Sequence, residues 1–334
     1  MRKPTELKNA AVKGIVGAVF LLTIFCLAGC TGKTPDRVQR QQTVLAQKEA
    51  PDSLAQRMAP AFVLSGAEER HNRIAAVGAM GSKGSLSIVL DPETPVIYTG
   101  SRSFATATGT YTNLTYRIHF SEQPFSLLPF HLGAGKHVGL LVVLTVDEHQ
   151  QVLLVTTANT CGCYAVTIPT QSMPLFAYPE DWPTASFDLY GEKLPARLPS
   201  LDGNDLLLVT IRPEVHRVMG LEVVPRQTLL VGMVQAAAMR NIETLKHLPL
   251  EDGGITSFYY QRWPLKGHVK GAIKPWETLL LSVASLDLFI GMDKEYGDTE
   301  ESGNPFYTSL KPWNRHRSDM NDFPRYLHYN GWRL

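Results

Sequence analysis

Residues 138–157 read VGLLVVLTVDEHQQVLLVTT, and they decide the fold class of this chain. Val138–Thr145 and Val152–Thr157 are rich in β-branched and aliphatic residues, which favour strands. The polar residues Asp147-Glu148-His149-Gln150 separate the two runs over a length typical of a hairpin connection. The stretch therefore predicts two adjacent antiparallel strands.

Strand-like patterns continue on both sides of this hairpin. In Asn113–Phe120, apolar and polar side chains alternate, as expected when one face of a strand is buried. Further runs of this kind are Ser87–Leu90, Tyr164–Ile168, Leu206–Ile211 and Val215–Val224. Glycine and proline separate them at short intervals. We therefore expect an antiparallel β-rich portion up to about residue 225.

Beyond that point the spacing of apolar residues changes to a helical period. Thr228–His247 carries apolar residues at roughly helical spacing, and Pro275 opens a second predicted helix that runs to about Met292. The second helix is apolar nearly all round, so we predict a core helix. The predicted fold class is thus α+β, with one globular unit over residues 59–334 in which helices and an extended segment follow the β-rich portion.

The N-terminal residues follow the order of a secretory signal. Four basic residues precede an apolar segment, Ile15–Leu27, which is shorter than the ~20 residues needed to span a bilayer. Leu27-Ala28-Gly29-Cys30 closes this segment. Residues 31–58 are polar and rich in Gln, Lys and Arg. We read residues 30–58 as a tether, with a short helix over Val38–Lys48.

The four residues Leu27-Ala28-Gly29-Cys30 resemble the lipobox of bacterial lipoproteins at every position. The resemblance covers residues 1–33 only. It implies a cleaved signal peptide over residues 1–29, lipid attached to Cys30 and a membrane partner reached through that lipid. Thr31 stands where an Asp favours the inner membrane, which implies the outer membrane facing the periplasm of a bacterial cell envelope.

Composition restricts the classes of partner. The chain of 334 residues has a formal net charge of +1, so no overall field would recruit nucleic acid. It has four cysteines, of which Cys161 and Cys163 lie beyond the lipobox. The G-x-S-x-G and H-E-x-x-H patterns of hydrolases do not occur in the sequence.

Cys161-Gly162-Cys163 is the motif with the clearest chemistry, and three interpretations stay open. A disulfide between the two cysteines would close a small, strained and reducible ring, which permits thiol exchange. Two thiolates could instead hold a soft metal ion such as Cu or Zn, completed by histidine from His119, His131 or His137. The third interpretation is a pair that only stabilises a turn.

Two further features concern the C-terminal part. Asp287 lies within the apolar segment and needs a partner if buried, which Arg or Lys from the C-terminal tail could supply. The tail, residues 306–334, is dense in aromatic and basic side chains and is expected to pack on the core. A ligand surface for glycans or anionic groups is the alternative.

The sequence thus suggests a lipid-anchored envelope lipoprotein. Its first functional hypothesis is a non-catalytic binding or scaffolding role with an envelope protein or glycan partner. The second is metal binding or thiol redox chemistry at Cys161 and Cys163. A hydrolase acting on envelope polymers ranks third, and no catalytic residue is assigned.

Overall fold

A computed structural model describes residues 41–47, 51–82, 85–231 and 234–334. The predicted signal segment, the lipobox-like residues with Cys30, and residues 30–40 and 48–50 of the predicted tether lie outside the described residues. Among those residues no helix is both long and apolar enough to cross a membrane.

The protein is mostly β, and its centre is one curled sheet of ten strands. In chain order the strands are β1 (Gln42–Gln47), β2 (Ala61–Ser65), β3 (Ala76–Ser82), β4 (Ser85–Asp91), β5 (Val96–Ala105), β6 (Thr110–His119), β7 (Glu122–Gln123), β8 (Gly135–Lys136), β9 (Gly139–Val146), β10 (Val152–Asn159), β11 (Val166–Pro169), β12 (Ser186–Leu189), β13 (Glu192–Pro195), β14 (Asp205–Ile211), β15 (Val218–Pro225), β16 (Val234–Asn241), β17 (Leu248–Pro249) and β18 (Ile255–Thr256). The order across the large sheet is β11-β10-β9-β6-β5-β16-β1-β2-β14-β15. Four two-stranded ribbons accompany it.

Helices are few and short in the described ranges. They are α1 (Leu54–Arg57), α2 (Pro275–Ser285), α3 (Thr299–Ser302) and α4 (Phe323–Tyr329). The predicted α+β class is therefore wrong, because the structure is mostly β and only 15% helical, and in the described residues no helical portion follows a β portion.

The predicted hairpin of β9 and β10 is confirmed, and β9 contributes side chains to the apolar clusters on both faces of the sheet. Leu140, Val142 and Leu144 of β9 pack into the main apolar cluster, whereas Leu141 and Val143 pack into a second one. Successive side chains of a strand point to opposite faces, so both faces of the sheet are covered at this strand. This is why the run is apolar without alternation.

The first predicted helix is wrong, because its central part is a strand inside the sheet. β16, which begins at Val234, pairs in parallel with β1 on one side and with β5 on the other. The segment is rich in alanine, a good helix former, but ladder hydrogen bonds on both edges outweigh that weak preference. Val38–Lys48 is likewise no helix in its described part, where Gln42–Gln47 forms β1.

The second predicted helix exists as α2, but it ends earlier and is not a core helix. Leu286 adopts a left-handed conformation (φ 52°) and ends the helix. The only buried residues of α2 are Glu277 and Ser285. Leu279 and Val283 are 67% and 83% exposed, because other segments already fill the apolar clusters on the sheet.

The C-terminal tail packs on the sheet, as expected. Phe306, Met320, Phe323, Tyr326 and Trp332 are buried in the second apolar cluster together with Leu141 and Val143. The tail therefore closes one face of the sheet. It also brings Tyr307 over the turn that follows β10.

Candidate functional site

The two cysteines lie on a tight turn directly after β10. Asn159 N–H donates to the Cys163 carbonyl over 2.9 Å, and Gly162 N–H donates to the Asn159 carbonyl over 2.7 Å. Gly162 has φ 91°, in the left-handed region that favours glycine. The backbone of the turn is thus held by its own hydrogen bonds, and both thiols are unbridged.

A small pocket, of about 140 Å³, is lined by both cysteines, of which Cys161 is buried and Cys163 is half-buried. Its walls come from five parts of the chain: the turn at 159–164, residues around 123–133, Tyr190, the start of α2 with the segment after it, and the tail at 307–310. We call it the thiol pocket. Its lining includes Lys274 and Glu277 from the start of α2.

Charged groups surround the pocket from the buried side. Lys274 Nζ lies 3.2 Å from Asp293 Oδ2, and both side chains are almost fully buried. Lys294 Nζ donates to the Cys161 carbonyl over 2.6 Å and lies over the Tyr307 ring. Lys294 thus holds the turn, and both lysines lie close to the thiols.

The carboxylate of Glu277 is the negative group nearest to a thiol. Cys163 Sγ lies 3.6 Å from Glu277 Oε1, a distance at which the thiol can donate to the carboxylate. Glu277 Oε2 is buried and has no hydrogen-bond partner in the structure. The thiol pair is therefore placed between a carboxylate and a lysine.

The two thiols differ in acidity. The pKa of Cys161 is lowered, first because the Cys163 thiol hydrogen-bonds to its sulfur and also because Lys274 is close, while burial acts against this. The pKa of Cys163 is raised well above its usual value, first by its interaction with the Cys161 sulfur, then by burial, with a smaller contribution from Glu277. Cys163 N–H also points at Cys161 Sγ over 3.4 Å. Cys161 is therefore the thiol that ionises first.

The three candidate histidines do not line the thiol pocket. His119 is fully buried and accepts from Arg117 Nε over 2.8 Å, and burial lowers its pKa well below the usual value. His131 and His137 each direct Nδ1 at a backbone carbonyl, of Pro124 and of Lys270. Among the described residues, no group of three or more His, Cys, Asp or Glu side chains is arranged to hold a metal ion. The Cu or Zn site stays a prediction.

Asp287 is partnered by the tail, as the sequence suggested. Arg315 Nη2 lies 3.5 Å from Asp287 Oδ2, and the Tyr307 hydroxyl donates to the same oxygen. These contacts join the residues after α2 to the tail segment with Tyr307, which lies over Gly162. Asp287 therefore has a structural role at the border of the pocket.

Sequence reasoning missed the charged groups of the site, Lys274, Glu277, Asp293 and Lys294. They lie more than a hundred residues after the cysteines, and no pattern in the chain connects the two regions. One signal was present. Glu277 is the single charged residue in the otherwise apolar or neutral run 275–286, and a lone carboxylate in such a run is typical of a buried functional or paired group.

Comparisons with known proteins do not identify the protein. No protein-family model matches the chain, and neither a curated protein nor a solved structure matches it. The class of the site is therefore defined by its own groups: a vicinal pair of thiols in a pocket, with a buried lysine and a carboxylate beside it.

Proposed function

We propose that the protein exchanges thiols and disulfides through Cys161 and Cys163. The observation that carries the proposal is the thiol pocket, which two unbridged cysteines of unequal acidity line together with Lys274 and Glu277. The thiolate is the reactive form of cysteine, and a neighbouring lysine and a hydrogen-bond donor both favour it. An inert turn pair would need neither the pocket nor the charges.

The exchange balances with a disulfide as the second reactant. The Cys161 thiolate attacks one sulfur of a substrate disulfide, that S–S bond breaks, and the leaving thiolate takes up a proton. Cys163 then gives its proton to Glu277 or to water, and its sulfur attacks Cys161. The products are a Cys161–Cys163 disulfide and two substrate thiols, so the site loses two electrons and the substrate gains them. The reverse reaction oxidises a dithiol substrate.

The test uses the full chain with Cys26→Ser and Cys30→Ser, purified in detergent, so that Cys161 and Cys163 are its two remaining thiols. An aromatic disulfide, dithiobis(nitrobenzoate), reports each exchange by absorbance. We expect two thiolates released per protein at pH 7 in two phases, the first of them from Cys161, because the lowered pKa of Cys161 increases its thiolate fraction.

Single substitutions in that background assign the two steps. Cys163→Ser should release one thiolate and stop at the mixed disulfide, and Cys161→Ser should remove the fast phase. A glutathione buffer of graded redox potential should convert the unsubstituted pair between dithiol and disulfide. If the pair never forms an intramolecular disulfide, or if Cys161→Ser reacts as fast as its parent, the proposal is wrong.

We also propose that the protein is lipid-anchored in a bacterial envelope through Cys30, and what supports this is the lipobox pattern alone. In cells given radioactive palmitate, the wild-type protein and Cys26→Ser should incorporate label, and Cys30→Ser should not, because only the Cys30 thiol is in the position for thioether formation. Cys26→Ser is the matched control within the same apolar segment. Equal label in Cys30→Ser and wild type would contradict the anchor.

A further inference from the structure

Beside the thiol pocket lies an exposed apolar surface made of two segments. Its members are Phe125, Leu127, Leu128, Trp276, Leu279 and Val283, and we call it the apolar rim. Leu128 is 94% exposed and Val283 is 83% exposed. Single exposed apolar residues are ordinary, but a contiguous group of this size indicates a binding surface.

Ring contacts join the two segments into one surface. The Phe125 ring stacks on Trp276 with centroids 5.7 Å apart, and Phe130 meets the same indole edge-on at 5.9 Å. Trp276, Leu279 and Val283 then follow at helical spacing along one side of α2. The rim therefore extends from the 125–130 loop along the exposed side of the helix.

The rim is continuous with the thiol pocket. Leu132 and Gly133, just after the loop, line the pocket, and so do Glu277 and Leu281 of α2. The same helix thus presents one side to the thiols and another side to solvent. A chain lying along the rim would reach the mouth of the pocket without a change in the fold.

The apolar rim has no exposed charged side chain in its two described segments, and this restricts the kind of partner that can bind it. Residues 124–134 contain no Asp, Glu, Lys or Arg, and the only charged residue in 275–286 is Glu277, which is buried. A matching partner is therefore uncharged and apolar. Anionic lipid headgroups would need basic side chains near the apolar ones, and these two segments provide none on their exposed side.

We propose that the apolar rim binds uncharged, apolar segments of unfolded polypeptides and presents their cysteines to Cys161. This inference rests on the proposed function and names its substrate class. Folded proteins bury such segments, whereas unfolded chains expose them, so the rim selects unfolded protein over folded protein.

Binding is measured with a fluorescein-labelled peptide of twelve Leu, Phe and Ser residues around one cysteine blocked by N-ethylmaleimide. The Cys26→Ser, Cys30→Ser chain should bind it, and Leu127→Ser with Leu128→Ser, or Leu279→Ser with Val283→Ser, should weaken the affinity at least ~10-fold, because each pair removes two apolar contacts. Leu175→Ser with Phe176→Ser is the matched control, since these residues are 70% and 72% exposed outside the rim. The control should bind as the parent does.

Two further readouts separate the possible failures. Equal peptide affinity in the rim variants and the parent overturns the inference, as does binding of phosphatidylcholine vesicles in place of the peptide. Exchange with dithiobis(nitrobenzoate), which needs only the pocket, should be unchanged in the rim variants. If the parent binds the peptide through the rim but fails that exchange, the proposed function is wrong and the rim remains a polypeptide-binding surface.

Discussion

Replacing Asp293 by Ala should lower the free energy of unfolding by about 3–5 kcal/mol, because it removes the salt-bridge partner of the buried Lys274 ammonium. The two side chains are 1% and 4% exposed, and Asp293 Oδ2 lies 3.2 Å from Lys274 Nζ. Burial alone would lower the pKa of Lys274, but Asp293, Glu277 and the neighbouring thiols together raise it well above its usual value. The ammonium is therefore charged in the folded protein and depends on its partner.

The other oxygen of Asp293 also contributes to this loss. Asp293 Oδ1 accepts from the Thr160 hydroxyl and from Gly139 N–H, the latter over 3.2 Å. Thr160 directly precedes Cys161, so the same carboxylate fixes the start of the thiol turn. Removing it leaves a buried hydroxyl and a buried amide without their acceptor, and each such group destabilises by about 1–3 kcal/mol.

Urea denaturation followed by circular dichroism measures the change. Glu180→Ala is the control, since its ion pair with Arg333 has side chains 84% and 56% exposed, and it should cost at most about 1 kcal/mol. The double variant Lys274→Met with Asp293→Ala should regain part of the loss, because no unpaired ammonium remains. If Asp293→Ala costs no more than Glu180→Ala, the buried pair does not stabilise the turn.

The strands could be predicted where their pairing is local in sequence. β9 and β10 are joined by a short polar turn, and Val143 pairs with Thr156 across it. The β-branched runs and the polar turn between them therefore both predict the hairpin. β16 pairs only with strands distant in sequence, and its alanines carry a helical preference. Such a segment cannot be assigned from its own residues, because its partners decide its conformation.

The same distinction applies to the site. Cys161 and Cys163 could be named from the sequence because the motif is local. An Arg or Lys of the tail was predicted as the partner of Asp287, and Arg315 is that residue. Lys274 and Asp293 come together only through the fold. The exposed side of α2 could not be predicted either. Leu279 and Val283 are apolar like the residues of a core helix, and only the absence of a covering segment among the described residues leaves them exposed.

Replacing Gly162 by Ala should destabilise the protein by about 3 kcal/mol or more and disrupt the thiol turn. Gly162 has φ 91°, where an alanine is strained by about 1–3 kcal/mol. In addition, a Cβ there would overlap the Tyr307 carbonyl oxygen, and overpacking costs about 1–3 kcal/mol. The turn or the tail must then move.

The tail resists that movement, so the strain should fall on the thiols. Tyr307 is held by its hydrogen bond to Asp287 and by the Lys294 ammonium, 4.2 Å from its ring. We expect Gly162→Ala to slow exchange with dithiobis(nitrobenzoate) at least ~10-fold, since a shift of about 1 Å at a reacting group can cost ~10²-fold. Gly203→Ala is the control, because a Cβ there meets nothing within 4 Å, and it should change stability by less than ~0.5 kcal/mol. If Gly162→Ala unfolds and reacts as Gly203→Ala does, the tail does not hold the Cys161-Gly162-Cys163 turn in its reactive form.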